Sequence, residues 1–250
     1  MGRYLTLVRH GQSTYNASNR FTGWLDPELT DQGVHEAHAV AEQLRGAELT
    51  FDIAFSSALH RARRTARIIL DDLQLKAMPV TMDFALDERN YGDMTGLDKD
   101  EARRRWGVDQ VQHWRRSYAD APPDGESLRD TVARVLPFYI QHILPAVMRG
   151  QAALVVAHGN SLRALVMALD GLSTQAVTQL EIATGEVLVY ELAADTTILS
   201  KRSLAMETPA KAPPAAATED ASTPPATSGS SRDTCRTGTH FLKRNALSVG

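Results

Sequence analysis

Two stretches of similar pattern, one near each end of the chain, decide the fold. The first is Arg9-His10-Gly11-Gln12-Ser13-Thr14-Tyr15-Asn16, which follows the apolar run Tyr4–Val8. The second is His158-Gly159-Asn160-Ser161, which follows the apolar run Ala153–Ala157. Each aliphatic run predicts a buried strand, and ligands of open α/β sheets bind outside the carboxyl ends of such strands. We therefore expect both histidines to contribute to one site at that edge of the sheet.

Strands alternate with helices along the chain between and around these two stretches. Short apolar runs predict further strands at Asp52–Phe55, Pro79–Met82, Val187–Leu192 and Thr196–Leu199. Helical spacing of apolar residues predicts helices over 31–45 and 98–116, and a further helix that begins near 161. It also predicts a helix after Ser56 and Ser57, which would cap it, and a helix from 127 with a kink or restart at Pro137. This alternation predicts an α/β fold, a three-layer α/β/α sandwich with a mostly parallel central sheet.

Composition bounds the class of protein. A chain of 250 residues, 43% of them hydrophobic, suffices for one full core. The net charge of −3 lacks the basic excess of a nucleic-acid binder. No apolar run approaches the roughly 20 residues that span a bilayer. The one cysteine, Cys235, excludes an internal disulfide and a cysteine-rich metal site. We expect a cytoplasmic protein with neither a nucleic-acid nor a membrane partner.

The composition changes near Ser203. Residues 207–231 are dominated by Ala, Pro, Thr and Ser and carry no periodic apolar pattern. Such a segment buries too little apolar surface to offset the entropy of the chain. We predict a catalytic domain over 1–202 and a disordered tail over 203–250.

His10 is the predicted nucleophile. A neutral imidazole nitrogen can attack phosphorus near pH 7. The neighbouring Arg9 brings a planar fork of N–H donors that matches phosphate oxygens. Gly11 is expected to let the backbone approach a ligand closely. Arg61 is favoured over the other arginines of its helix, since it lies in the first turn, nearest the predicted crevice.

Glu88 is the predicted proton acceptor. A hydroxyl that accepts a phosphoryl group must lose its proton, and a carboxylate near phosphates can have a raised pKa. The sequence has no Asp-x-Asp cluster, no Cys pair and no helical metal-site spacing of histidines. We therefore predict no metal, with arginines neutralising the phosphoryl oxygens as Mg²⁺ does in kinases.

Six motifs together carry a family resemblance. They are Leu7–Ser13, Asn19–Trp24, Glu88–Gly92, Trp114–Arg116, Gly125–Leu128 and Ala157–Arg163, and Asn16 and Leu29-Thr30 match beside them. In these motifs the chain resembles the cofactor-dependent phosphoglycerate mutases of the histidine phosphatase superfamily, over about residues 1–202. Arg-His-Gly alone indicates only the superfamily, whereas Asn-Arg-Phe-Thr-Gly-Trp and Trp-Arg-Arg narrow it to the mutase. Only Ser117–Asp124 separates Trp-Arg-Arg from Gly-Glu-Ser-Leu, which is typical of the short form.

The resemblance implies a reaction and a set of site residues. The reaction is interconversion of 3-phosphoglycerate and 2-phosphoglycerate in glycolysis and gluconeogenesis, through a phosphohistidine at His10 that 2,3-bisphosphoglycerate primes. Glu88 would exchange the proton, and His158 would stabilise the transferring phosphoryl group. The implied substrate-binding residues are Arg9, Gly11, Gln12, Ser13, Thr14, Tyr15, Asn16, Thr22, Gly23, Arg61, Arg89, Asn90, Tyr91, Lys99, Arg115, Arg116, Gly159 and Asn160.

Two other functions stay open at this point. In a phosphatase of the same superfamily, water would intercept the phosphohistidine and release phosphate from a small phosphorylated metabolite. A non-catalytic phosphate-binding module is the second alternative, although a binder needs the arginines and not His10, Glu88 and His158. A homodimer is one possible assembly, and the short 117–124 connection leaves subunit contacts and site closure open.

Overall fold

The computed structural model describes residues 2–204, which are built around a six-stranded sheet. The strands are β1 (Arg3–Arg9), β2 (Ile53–Ser57), β3 (Val80–Asp83), β4 (Ala153–Ala157), β5 (Val187–Leu192) and β6 (Ile198–Leu204). Their order is β3-β2-β4-β1-β5-β6. The pairs from β3 to β1 are parallel, whereas β5 and β6 add two antiparallel pairs at one edge. The predicted α/β fold is confirmed.

Helices cover both faces of this sheet. They are α1 (Thr14–Ala17), α2 (Asp31–Gly46), α3 (His60–Asp72), α4 (Lys99–Trp106), α5 (Val108–Arg116), α6 (Leu128–Phe138), α7 (Leu144–Met148), α8 (Gly159–Asp170) and α9 (Thr174–Gln179). Side chains of β4 alternate between two cores: Val155 packs with α6, α7 and α8, and Val156 packs with α2 and α3. This period-2 alternation produces the three layers. Within residues 2–204, no helix has the length and apolar character needed to cross a membrane.

Two helix starts differ from the sequence-based expectation. Helix α3 is capped by Leu59, because β2 continues to Ser57, which still pairs with Asp83 of β3. The expected caps Ser56 and Ser57 are therefore strand residues. Helix α8 begins at Gly159 and not at Ser161, because the extended backbone of His158 already forms its N-cap.

Interruptions of the long helical segments have local causes. The segment 98–116 divides into α4 and α5 at Gly107, whose φ of +88° no helix residue adopts. The predicted restart after Pro137 is confirmed: a π-helical turn, Tyr139–Ile143, separates α6 from α7. Proline lacks the N–H that an α-helix requires at this position and its ring crowds the preceding turn, so the regular helix ends soon after it.

The last strand is longer than predicted. β6 runs to Leu204 and not to Leu199, because its backbone pairs with β5 along the whole length, ending at Val187 opposite Leu204. Ser203 and Leu204, placed in the predicted tail, thus belong to the sheet. Residues 205–250, which make up the rest of that tail, lie outside the described residues.

The sheet brings the two His-Gly motifs side by side. β1 and β4 are adjacent and parallel, and Arg9 is opposite Ala157 in their register. The next residues are His10 and His158, and the His10 N–H donates to the Ala157 carbonyl at 3.0 Å. The expected site at the carboxyl edge of the sheet therefore begins with two neighbouring histidines.

Candidate active site

His10 and His158 form a buried pair of imidazoles. Their ring centroids are 4.8 Å apart, with an angle of 60° between the planes. Nδ1 of His10 donates to the Gly11 carbonyl at 2.6 Å, which leaves Nε2 with the lone pair. Burial and the charges of Arg61 and Arg9 lower the pKa of His10 well below its usual value. His10 is therefore neutral near pH 7, the state in which Nε2 is a nucleophile.

His158 has one nitrogen bound and one without a partner. Its Nε2 lies 2.7 Å from Oγ of Ser57, at the end of β2. Its Nδ1 is buried with no hydrogen-bond partner among the described residues. Burial and the nearby charge of Arg61 lower its pKa well below the usual value. A buried polar atom without a partner costs free energy, and a ligand oxygen would relieve that cost.

Two arginines hold positive charge against this pair. Arg61 is 1% exposed, and its guanidinium donates to the carbonyls of Gly23 and Leu25. Arg9 donates to the Ile182 carbonyl, while its Nε is buried and has no hydrogen-bond partner within residues 2–204. The other arginines of α3 are exposed; they are Arg63, Arg64 and Arg67.

Glu88 faces the same site as a buried carboxylate. Its Oε1 accepts the Arg89 N–H at 2.7 Å and two N–H groups of Asn160 at 2.8 and 3.2 Å. Burial raises its pKa, but these hydrogen bonds and the charges of Arg9 and Arg61 lower it further, so the net shift is downward. The sequence-based expectation of a raised pKa does not hold for the described residues, because it counted phosphate charge and not these donors.

The loop that carries Glu88 is held from behind by Arg134 of α6. This guanidinium donates to the carbonyls of Ala85, Asp87 and Glu88 and pairs with the carboxylate of Glu126. The Trp24 indole N–H also donates to the Glu88 carbonyl, at 2.8 Å. These contacts fix the backbone of Glu88 and leave its side chain to the site.

A pocket of about 240 Å³ opens in front of these groups. Its lining residues are Arg9, Asn16, Arg20, Phe21, Thr22, Glu88, Tyr91, Lys99, Arg115, Arg116, Gly159, Asn160, Arg163, Glu181 and Ile182. Six of them are cationic and two are carboxylates. Such an excess of positive charge suits a small ligand with several negative charges.

The family comparison agrees with this geometry. The model of the histidine phosphatase superfamily (branch 1) matches residues 5–203. This chain belongs to that superfamily. A relative from Methylobacterium sp. (strain 4-46) is named 2,3-bisphosphoglycerate-dependent phosphoglycerate mutase; it is 58% identical over 204 residues, 82% of this chain and 98% of the relative. A relative of the same name from Xanthobacter autotrophicus is 56% identical over 202 residues, 81% of this chain and 98% of the relative.

Solved structures of the superfamily share the fold at lower identity. A structure named Mycobacterial hydrolase 1 superposes with a TM-score of 0.68 at 28% identity, covering 80% of this chain and 95% of its own. A mycobacterial glucosyl-3-phosphoglycerate phosphatase in complex with VO3 superposes with a TM-score of 0.67 at 30% identity, covering 75% of this chain and 92% of its own.

The predicted site residues fall into two groups, those that line the pocket and those that do not. Ten of the residues predicted to bind or convert substrate line the pocket: Arg9, Asn16, Thr22, Glu88, Tyr91, Lys99, Arg115, Arg116, Gly159 and Asn160. Eleven are not among the lining residues: His10, Gly11, Gln12, Ser13, Thr14, Tyr15, Gly23, Arg61, Arg89, Asn90 and His158. Of these, His10, Arg61 and His158 form the buried floor described above.

The remaining predicted residues have structural contacts. A Cβ on Gly11 would lie 2.2 Å from the Gly33 carbonyl oxygen, so the packing of α2 requires this glycine. Ser13 caps α1 through reciprocal hydrogen bonds with Asn16. Arg89 is buried, and its guanidinium lies 4.7 Å from the centre of the Tyr91 ring. These residues support the residues that line the pocket and do not line it themselves.

Other predicted residues that do not line the pocket also make contacts within loops. The Thr30 hydroxyl donates to Oε1 of Gln12 at 2.9 Å. Oδ1 of Asn90 accepts the Gly92 N–H. Thr14 is exposed, and the Tyr15 ring lies 5.9 Å from the Arg20 guanidinium.

Five lining residues were missed by the sequence-based prediction: Arg20, Phe21, Arg163, Glu181 and Ile182. Three of them stand inside the quoted motifs, so a signal existed. Glu181 and Ile182 lie in the connection between α9 and β5 and carry no such signal. The rings of Trp106 in α4 and Trp114 in α5 meet edge to face at 6.0 Å.

Proposed function

We propose that this protein interconverts 3-phosphoglycerate and 2-phosphoglycerate through a phosphohistidine at His10. The observation that carries the proposal is the joint placement of a neutral imidazole, His10, and an ionised carboxylate, Glu88, around one cationic pocket. A group transfer between hydroxyls needs a carrier for the phosphoryl group and a separate carrier for the proton. The relatives named phosphoglycerate mutase, at 56–58% identity, support the same reaction.

The priming group 2,3-bisphosphoglycerate fits the residues present. Two buried N atoms, Nε of Arg9 and Nδ1 of His158, have no partner among the described residues and can meet phosphoryl oxygens. Arg115, Arg116 and Lys99 supply charge for the second phosphate and the carboxylate. When bound, this compound supplies the phosphoryl group that readies His10 for catalysis.

Different residues of the site carry out phosphoryl transfer and proton transfer. His10 holds the phosphoryl group on Nε2, and Arg9, Arg61 and His158 stabilise its oxygens. The free hydroxyl of the monophosphate attacks phosphorus, the P–N bond breaks, and its electron pair returns to Nε2. Glu88 takes the hydroxyl proton. Transfer of the other phosphate to His10 uses the same steps in reverse, with Glu88 returning the proton to the oxygen that is left.

A coupled assay tests the proposal. Isomerisation and release of inorganic phosphate are measured side by side, with and without 2,3-bisphosphoglycerate, in buffer that contains EDTA. We expect bisphosphate-dependent isomerisation that exceeds phosphate release and survives EDTA, because arginines are proposed to replace a metal. Phosphate release that exceeds isomerisation would assign the protein as a phosphatase, and activity restored only by Mg²⁺ would contradict the arginine-based mechanism.

Two further parts of the proposal concern assembly and location. β3 is an edge strand, and the exposed apolar side chains Met82 and Phe84 lie on it or directly after it, which supports a homodimer through this edge. Sedimentation equilibrium of the wild-type protein and of Phe84→Glu tests this assembly. Since the reaction belongs to glycolysis and gluconeogenesis, the proposed compartment is the cytoplasm.

A further inference from the structure

A buried hydrogen-bonded chain leads from His158 away from the pocket. Oγ of Ser57 lies 2.7 Å from Nε2 of His158 and 2.6 Å from Oδ1 of Asp87. The Leu59 N–H also donates to this Oγ, at 3.0 Å. Ser57 and His158 are both 0% exposed, so water does not compete for these contacts. The phosphoryl-transfer steps above use His158 and leave Ser57 and Asp87 without a role.

The donor and the acceptor of each hydrogen bond between His158, Ser57 and Asp87 follow from counting hydrogens. A hydroxyl has one hydrogen to donate and two lone pairs that accept. One lone pair of Ser57 Oγ takes the Leu59 N–H. The carboxylate oxygen Oδ1 of Asp87, which also accepts the Ala58 N–H at 2.9 Å, takes the hydroxyl hydrogen. The second lone pair therefore faces Nε2 of His158, and that nitrogen must carry a hydrogen.

We propose that Ser57 and Asp87 are positioning residues that fix His158 in the Nε2–H tautomer and thereby assign Nδ1 to the phosphoryl group. In the part of the chain that the structure describes, Nδ1 is the ring nitrogen without a partner, and the two histidine rings are in edge contact at 4.8 Å. A phosphoryl group against Nδ1 adds negative charge that opposes the lowered pKa of His158, and a proton carried in by that group then passes to Nδ1, which gives an imidazolium whose Nδ1–H donates to a phosphoryl oxygen. Asp87 stabilises that cation from the far side through the Ser57 hydroxyl.

The same counting disfavours the opposite arrangement as long as Asp87 is ionised. If His158 carried its hydrogen on Nδ1, the Nε2 lone pair would face a lone pair of Ser57 Oγ. Ser57 would then have to turn its hydrogen toward His158 and leave the Asp87 carboxylate without that donor. The half-buried carboxylate of Asp87 would then keep the Ala58 N–H but lose its short hydrogen bond to the hydroxyl, which is unfavourable for a charged acceptor. The role of the tautomer in catalysis rests on the proposed function, but the tautomer itself does not.

The tautomer is measured directly by NMR of the full-length protein. Histidine labelled with ¹⁵N in the ring gives long-range ¹H–¹⁵N patterns that differ between the two neutral tautomers. The chain has 8 histidines, and the His158 pattern is identified by its loss in His158→Gln. We expect Nε2–H in the wild-type protein and a mixture of tautomers in Ser57→Ala. An Nδ1–H pattern in the wild type, or an unchanged pattern in Ser57→Ala, would overturn the proposal.

Kinetics test the consequence against a matched control. Groups that orient a metal-bound histidine typically contribute about 10–100-fold. We expect a loss of the same order here, so Ser57→Ala should lower kcat by that factor and change KM less than about twofold. Ser56→Ala is the control, because Ser56 lies on the same strand, is equally buried and donates only to the Ser57 carbonyl. Equal losses of kcat in the two variants would indicate a merely structural role and overturn the positioning role.

A second variant serves if Ser57→Ala does not fold. Asp87→Asn keeps the shape and an acceptor oxygen but removes the charge, so we expect the Nε2–H pattern to remain and kcat to fall. An unchanged kcat would contradict the stabilisation of the cation by Asp87. If the protein shows no mutase activity while His158 keeps the Nε2–H pattern, the proposed function fails and the assigned tautomer stands.

Discussion

Asn160 donates twice to a single oxygen of Glu88. The Asn160 side-chain Nδ2 lies 2.8 Å from Oε1, and its backbone N lies 3.2 Å from the same atom. Both donors belong to the first turn of α8, where the unpaired N–H groups of a helix favour negative charge. One residue therefore supplies a side-chain and a backbone hydrogen bond that keep Glu88 ionised.

Loss of the side-chain donor should move the acid limb of the pH profile. Asn160 lowers the pKa of Glu88, so Asn160→Ala should raise it. Because the reaction needs Glu88 unprotonated to receive the hydroxyl proton, activity is lost as pH falls through this pKa. We expect the acid limb of kcat/KM to shift to higher pH in Asn160→Ala while the alkaline limb stays in place. A shift to lower pH would contradict the assigned hydrogen bonds.

His10 should carry the phosphoryl group. Incubation with radiolabelled 2,3-bisphosphoglycerate is expected to give an acid-labile, base-stable phosphoenzyme, since a phosphorylated imidazole has that stability. His10→Ala should abolish the label, because it removes the nitrogen left free by the bond to the Gly11 carbonyl. His38→Ala is the control, since His38 pairs with Asp72 on the surface. Label that persists in His10→Ala would place the phosphoryl group on another residue.

The sequence predicts the centre of this site better than its surroundings. His10 and His158 were placed together because each follows a buried strand, and parallel strands end at one edge of a sheet. The contact between Ser57 and His158 spans 101 residues of sequence and depends on β2 ending level with β4. No local pattern encodes that contact, nor the hydrogen bonds from Arg134 to the backbone carbonyls of residues 84–88.

Gly11 also shows what the sequence does not reveal about the surroundings of a residue. Gly11 was expected to admit a ligand, but the nearest atoms to its missing Cβ belong to Gly33. A sequence shows that a side chain is absent and does not show which neighbour requires the space. The lowered pKa of Glu88 shows the same limit, because burial, which raises it, is outweighed by donors from Arg89 in its own loop and from Asn160 on α8 and by nearby arginine charge.

Glu88→Gln should lower turnover and leave binding nearly unchanged. The amide keeps the size of the side chain but cannot take up a proton. General acid–base groups typically contribute about 10²–10⁴-fold, so kcat should fall within that range while KM changes little. Glu42→Gln, at an exposed position of α2, is the matched control and should retain full activity. A loss under about threefold would assign the proton transfer to another group, with His158 the next candidate.

Glu181 should weaken binding of the anionic substrate. Its carboxylate pairs with Arg116 and Arg163, two cations that line the same pocket. Removal of this negative charge frees Arg116 for the ligand, so Glu181→Gln should lower KM. Exposed charge interactions are worth under about 1 kcal/mol, which corresponds to at most about a fivefold decrease in KM. Glu191→Gln on β5 is the control, and an increase in KM for Glu181→Gln would show that Glu181 organises the arginines for binding.

Removal of the carboxyl-terminal segment should depend sharply on where the chain is cut. A chain ending at Leu204 keeps all of β6, and we expect its melting temperature and kcat/KM to match the full-length protein, because the Ala, Pro, Thr and Ser composition beyond it does not support a packed layer. A chain ending at Arg202 loses the pairing of Ser203 with Leu188 and of Leu204 with Val187.

The second truncation isolates the contribution of the strand end. Leu204 packs against the core on the α2 and α3 side, and a partly buried leucine contributes about 1 kcal/mol, or about 2–4 °C in Tm for a domain of this size. Differential scanning calorimetry of both truncations beside the full chain measures this difference. A tenfold loss of kcat/KM in the chain ending at Leu204 would show that residues 205–250 take part in catalysis, since that chain retains every residue of the pocket.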